Sequence, residues 1–135
     1  MQLTVSIVTP EKSVIEAVVD QVTAPSVQGE VGILPSHKPL LASMQEGIVG
    51  LHAAGETNYF AVSGGFLEVS NDRVTVLAEA AENVSEIDVT RAEAALKDAT
   101  SRLEALAVES EESAQERGRV RRALVRLAAS KLAAD

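Results

Sequence analysis

Between Ala81 and Ile87 the apolar pattern of the chain changes its period, and no other feature of the sequence constrains the fold as strongly. Before this point hydrophobic residues alternate in short runs, the period of a strand with one buried face. After it they return every three or four residues, the period of a helix with one buried stripe. Neither pattern satisfies the geometry of the other, so the chain divides into a β part, residues 1–84, and an α part, residues 85–135.

In the first part, residues 3–8 alternate strictly, and 13–24, 47–52, 59–62, 66–69 and 73–78 are read as further strands. Pro10, Pro25, Pro35, Pro39, Gly55 and the pair Gly64-Gly65 interrupt them. Asn71-Asp72 lies between two strand runs and predicts a hairpin turn, and Gly64-Gly65 predicts a tight bend or bulge. Many short strands at close spacing point to an antiparallel β-sandwich or flattened barrel. With two Phe, one Tyr and no Trp, its core must be built from Val, Ile, Leu and Ala.

In the second part Val89, Ala92, Leu96, Ala99, Leu103 and Leu106 are spaced 3, 4, 3, 4 and 3 apart, an apolar seam along a helix. Ser85 or Asp88 can cap its start, and Thr90 with Glu93 offers another capping arrangement. Residues 109–116 are polar and acidic, and Gly118 follows. A second helix then presents Val120, Leu124 and Leu127 on one side. The expectation is an antiparallel helical hairpin with helices over about 88–108 and 118–132. So Ala-rich a pair buries little apolar area against the entropy of ordering it. The hairpin must therefore dock elsewhere, which suggests a mobile element.

Composition removes whole classes of function. Twenty acids against twelve bases leave a net charge of −8, which argues against nucleic-acid binding by the chain as a whole. The absence of cysteine excludes disulfides, thiolate chemistry and Cys-based zinc sites. The shortage of aromatics argues against base stacking and aromatic cages. Residues 1–5 do not read as a signal peptide, and no apolar run approaches the roughly 18 residues of a membrane span. The reading is a soluble, cytosolic chain that reaches a membrane only through partners. The charge is uneven, however. Residues 117–135 carry six bases and one acid, a net of +5, while residues 1–116 carry −13. Such a tail suits an acidic protein surface or a phosphate-bearing ligand; alternatively it only balances the acids of the neighbouring helix.

A search for catalytic groups finds little. No Gly-x-Ser-x-Gly elbow, phosphate loop or dinucleotide fingerprint occurs. His37 and His52 stand in unrelated contexts with no metal-ligand spacing. The chain reads as non-catalytic, with no required cofactor and no metal.

Three segments carry a resemblance: Gly29-Glu-Val-Gly-Ile-Leu-Pro-Ser-His-Lys-Pro-Leu40, Ser63-Gly-Gly-Phe-Leu-Glu-Val69 and Arg73-Val-Thr-Val-Leu-Ala-Glu-Ala-Ala-Glu82. In this order, with two helices after them, they resemble the epsilon subunit of F-type ATP synthases, called delta in mitochondria. The resemblance implies a rotor subunit of the central stalk. Its sandwich would bind the gamma subunit and sit on the polar loops of the membrane-embedded c-ring. The loop from Glu30 through His37 and Lys38 looks like the family's ring-facing edge, although His37 alternatively hydrogen-bonds within its own turn. The hairpin would lie folded against the sandwich or extend into the catalytic alpha/beta hexamer, where it obstructs rotation in the hydrolysis direction. Arg119, Arg122 and Arg126, spaced along one helical face, would then meet acidic segments of beta.

Some bacterial members bind ATP in the folded hairpin. Ile87-Asp-Val-Thr-Arg-Ala92 matches their motif, with Glu82 before it and Arg122 and Arg126 on the second helix. The implied nucleotide residues are thus Glu82, Ile87, Asp88, Arg91, Ala92, Arg122 and Arg126, with ATP as a regulatory ligand. One position departs from the pattern: Asp98 stands where those members carry an arginine, and an acid facing phosphate weakens binding. Lys97 or Arg102 would then substitute in part. The alternative is that Asp88 caps the first helix and Arg91 pairs with Glu86 or Asp88. The resemblance implies a peripheral location at the cytoplasmic face of the bacterial inner membrane. The competing reading is a free-standing adaptor whose basic hairpin binds an acidic protein.

Overall fold

Alternation is the organising rule of the first unit. In β1 (Leu3–Val8), Leu3, Val5 and Ile7 are completely buried while Thr4, Ser6 and Val8 are not. A computed structural model of the chain describes residues 2–106 and 110–134, and it divides the chain after Asn83 into two units. The first contains β1, β2 (Ser13–Val19), β3 (Gln21–Ser26), β4 (Gly29–Ile33), β5 (Leu40–Ser43), β6 (Gly47–Ala53), β7 (Glu56–Ser63), β8 (Phe66–Ser70), β9 (Arg73–Leu77) and β10 (Ala80–Asn83).

These strands form two five-stranded sheets, ordered β2-β1-β9-β8-β5 and β10-β7-β6-β3-β4. All pairings are antiparallel except β1 with β9, which is parallel. The inner faces meet in one aliphatic core that includes Ile7, Val22, Ile33, Val49, Leu67, Val74 and Val76, with Phe60 as its one aromatic member. The fold is the β-sandwich followed by two helices that the sequence predicts.

Two details differ from the sequence reading. The run 13–24 is not one strand: β2 belongs to the first sheet and β3 to the second. The corner falls at Asp20, whose N–H donates to the His52 carbonyl at 2.8 Å and whose carboxylate accepts the Ala54 N–H at 3.0 Å. β4 matches the segment from Gly29 that the sequence reads as running from strand into loop, while β5 and β10 are additional. Each lies at the edge of its sheet, where one neighbouring strand suffices and the apolar alternation is correspondingly weak.

The turns obey their local chemistry. Asn71 and Asp72 have φ of 51° and 60° and close the β8–β9 hairpin at the Ser70–Arg73 pair, as a two-residue turn of the primed kind requires. Gly65 has φ of 98°, and a Cβ there would overlap the Leu77 carbonyl. Only glycine fits.

The second unit opens with a 3-10 turn, Val84–Glu86, followed by α1 (Val89–Glu104) and α2 (Glu111–Ala134). Asp88 is the N-cap of α1, its carboxylate accepting the Arg91 N–H at 3.0 Å. The predicted start of the second helix at 118 is corrected to Glu111. There the Ser110 hydroxyl accepts the Ser113 N–H at 3.0 Å, and Glu111 and Glu112 occupy the first turn, where acids suit the helix dipole. Gly118 is buried inside the helix instead of breaking it, since its intrinsic cost of about 1 kcal/mol is small beside a good cap and a packed face. The end of the first predicted helix, 107–108, lies outside the described residues.

The buried positions of the hairpin are small: Ala92 and Ala99 on α1, Ser113, Ala123 and Ala129 on α2. The predicted seam on the second helix is corrected in part. Leu124 is half exposed, whereas Val120 and Leu127 are half buried.

Candidate functional site

Glu30 and the pair His37, Lys38 occupy different structural settings. Glu30 is not in a loop. It lies on the edge strand β4, with Pro25 as its partner across the ladder, and it is exposed. His37 and Lys38 lie in the crossing from β4 to β5. A strand rises about 3.3 Å per residue, so this loop begins roughly 13 Å along the edge from Glu30. A surface that touches all three must therefore run along the β4 edge.

Within the loop, Ser36 takes a left-handed conformation, φ 69°, which costs a non-glycine residue about 1–2 kcal/mol. Its N–H donates to a carboxylate oxygen of Asp72 at 2.6 Å. The His37 N–H donates to the Leu34 carbonyl at 3.2 Å, and its Nδ1–H donates to the Lys38 carbonyl at 2.7 Å. The alternative expectation for His37, a hydrogen bond within its own turn, is what this ring makes. Lys38 is exposed.

The nucleotide residues fall in both units. Glu82 is on β10, paired with Ala61 of β7, while Ile87, Asp88, Arg91, Ala92, Arg122 and Arg126 belong to the hairpin unit. Asp88 is committed to capping through one carboxylate oxygen. Ala92 is fully buried, Ile87 is half buried, and Arg91 is exposed. Among the described residues no ion pair includes Arg91, so the expected pairing with Glu86 or Asp88 is absent.

Two cross-helix contacts set the register of the hairpin: Asp98 with Arg119 at 3.0 Å and Arg102 with Glu116 at 3.9 Å. The first number rises as the second falls, so the helices are antiparallel. Counting equal rises from Asp98–Arg119 brings Arg91 level with Arg126, with Arg122 one turn away. Arg122 is exposed and Arg126 half buried.

Asp98 does not stand alone. It also takes the Arg102 guanidinium at 3.2 Å, and Arg119 is shared with Glu116 at 2.9 Å. The hydrogen bond from Arg119 holds the Asp98 carboxyl below the usual carboxylate range, with the Arg102 and Arg119 charges adding to it against partial desolvation. Reciprocally, Arg119 is raised above its ordinary value, first by the Asp98 hydrogen bond. Of the three arginines expected on one basic face, Arg119 is thus turned into this cluster. For Glu116 the sequence offers no signal beyond its i,i+3 spacing to Arg119. Asp72 reads from the sequence only as a turn residue; nothing local marks its bond to Ser36.

Among the described residues no group of His, Asp or Glu is placed to hold a metal ion, and no helix is long and apolar enough to cross a membrane. The fold and its sites define a β-sandwich protein carrying an ion-paired helical hairpin. Residues 2–84 match the family model of the ATP synthase delta/epsilon chain β-sandwich domain. An ATP synthase epsilon chain of Anaeromyxobacter dehalogenans is 46% identical over 127 residues, which cover 94% of this chain and 96% of that one. Another from Anoxybacillus flavithermus is 52% identical over 101 residues, 75% of each chain. A chain in the cryo-EM structure of the Euglena gracilis mitochondrial ATP synthase superposes with a TM-score of 0.81 at 20% identity, covering 98% of this chain and 81% of that one. That likeness is one of fold. The chain belongs to the delta/epsilon chain family of F-type ATP synthases.

Proposed function

We propose that this chain works in the central stalk of a proton-driven ATP synthase as a non-catalytic rotor subunit. In this reading the sandwich binds gamma and rests on the c-ring, with Glu30, His37 and Lys38 along the β4 edge, so that ring rotation is coupled to ATP synthesis in the alpha/beta hexamer. The hairpin is a brake on ATP hydrolysis, its basic second helix meeting acidic segments of beta through Arg122 and Arg126. ATP is a regulatory ligand of the hairpin, its phosphates held by Arg91, Arg122 and Arg126, whose planar forks suit phosphate oxygens. The chain sits peripherally at the cytoplasmic face of the bacterial inner membrane.

The observation that carries this reading is the extent of the identity. At 46% it runs over 94% of the chain, hairpin included, to a chain named ATP synthase epsilon chain. Affinity purification of the tagged full-length chain from solubilised membranes tests it. Gamma, the c-ring and the catalytic hexamer should be recovered together with it. Recovery of the chain alone, or with an unrelated acidic protein, would favour the free-standing adaptor.

A further inference from the structure

The sandwich holds two non-glycine residues in the left-handed region that bond directly to each other. Ser36 has φ 69° and Asp72 has φ 60°, and the Ser36 N–H meets the Asp72 carboxylate at 2.6 Å. A serine carries a Cβ that resists this conformation and, unlike Asn or Asp, it is not favoured there. Strain of this kind persists where the surroundings impose it, and it marks segments whose exact shape is used.

Asp72 is well suited to impose it. Its own backbone is fixed from two sides. It forms the β8–β9 turn with Asn71, and its carbonyl accepts the Thr4 N–H at the start of β1 at 2.9 Å. The carboxylate is therefore carried by three adjacent strands of the first sheet. The loop it holds leads from β4 in the second sheet to β5 in the first. Between Pro35 and Pro39 the chain has three residues: Ser36, His37 and Lys38. Their other bonds are internal: His37 N–H to the Leu34 carbonyl and His37 Nδ1–H to the Lys38 carbonyl. Among the described residues, Ser36 to Asp72 is the one hydrogen bond that ties residues 35–39 to a distant part of the chain. Proline stiffening and internal bonds shape the loop; this bond places it.

We propose that Asp72 is the positioning residue of the loop that presents His37 and Lys38 to the rotor. It acts through Ser36 and makes no contact with the partner itself. The inference rests on the reading that this edge meets gamma and the c-ring. Preorganisation is the physical gain: a loop already held in its bound shape loses less freedom on docking.

The test uses the full chain with Asp72→Ala, which removes the acceptor, and Asp72→Asn, which retains an acceptor oxygen and tolerates the left-handed turn. Amide exchange of Ser36 is read by NMR, with the buried amides of Val49, Phe60 and Val76 as controls for folding. Binding is read against a purified complex of gamma with the c-ring. Asp72→Ala should speed Ser36 exchange about tenfold, as expected when a charge-assisted bond is lost, with the control amides unmoved. It should also weaken binding several-fold, while Asp72→Asn stays close to wild type in both measurements. Unchanged Ser36 exchange in Asp72→Ala overturns the clamp. Faster exchange with wild-type binding overturns the positioning role. The partner reading is judged separately in the wild-type arm: if the unaltered chain does not bind the rotor complex, that reading fails, while Ser36 exchange still decides the clamp.

Discussion

Asp98 on α1 and Arg119 on α2 face each other across the hairpin with carboxylate oxygen and guanidinium nitrogen 3.0 Å apart. Arg102 and Glu116 extend the contact into a group of four alternating charges. The acid that stands where ATP-binding relatives are expected to have an arginine is therefore neutralised by arginines of its own chain, and it fastens one helix to the other.

The first consequence is a pH dependence. Asp98 is held below its ordinary range in the folded hairpin. A carboxyl with a depressed folded pKa stabilises the fold above its unfolded pKa, and that contribution disappears as pH falls through the folded value. Helical circular dichroism of the full chain should accordingly decline on acidification below about pH 4, the ordinary carboxylate range. Asp98→Asn should flatten the part of this decline that belongs to the hairpin. An identical acid limb in the variant would show that the pair does not contribute.

A second expectation concerns nucleotide. Removing the carboxylate with Asp98→Ala releases Arg102 and Arg119 and lifts an acidic charge that lies about two helical turns from the level of Arg91 and Arg126. ATP should bind about five- to tenfold more tightly to the variant, the scale of one like-charge contact near a phosphate. Isothermal calorimetry on the isolated full chain checks it. Equal or weaker binding by the variant would place the ligand elsewhere, and no heat at millimolar ATP from either protein would reject the site.

Two glycines should respond in opposite directions to the same substitution. Gly65→Ala drives a methyl group into the Leu77 carbonyl at a φ of 98°, backbone against backbone. A loss of about 3 kcal/mol or more is expected, combining strain with steric overlap. Gly118 lies in α2, where an added Cβ meets the ends of two flexible side chains, Arg122 at 3.2 Å and Arg121 at 3.8 Å. Those side chains can move, so Gly118→Ala should stabilise the hairpin by about 0.5–1 kcal/mol through helix propensity. Urea unfolding followed by circular dichroism measures both.

The braking role of the basic face of α2 should show in the assembled enzyme. With Arg122 and Arg126 both changed to Ala, ATP hydrolysis by the reconstituted complex should rise about twofold or more at low salt. The difference should shrink as ionic strength grows, because exposed charges are screened beyond about 8 Å at physiological salt. Hydrolysis that is neither faster nor altered in its salt response would remove these arginines from the brake.

Much of the β-sandwich was legible because its signals are local. The buried triplet Leu3, Val5 and Ile7 follows from alternation alone, and the Asn71-Asp72 turn from the tolerance of these residues for positive φ. β5 and β10 were not legible. At four residues each, Leu-Leu-Ala-Ser and Ala-Ala-Glu-Asn are too short to show an alternation, and their strand character comes from the neighbour that bonds them. The same limit applied to the sites. Asp88 reads as a cap from its position before an apolar seam. Asp72 gives no hint of Ser36, since the two are 36 residues apart.

The sequence by itself determined where the chain changes from sheet to helix, which faces are apolar and how the main turns and the first helix begin. These properties rest on backbone preferences and on the period of a few neighbouring residues. Only the tertiary structure decided that the chain turns from one sheet to the other at Asp20, that α2 runs through Gly118, that Asp98 meets Arg119 and that Asp72 holds Ser36. Each depends on which distant segments packing brings within hydrogen-bond reach. No local preference contains that information, because the energy that selects the pairing belongs to the whole core and not to either partner.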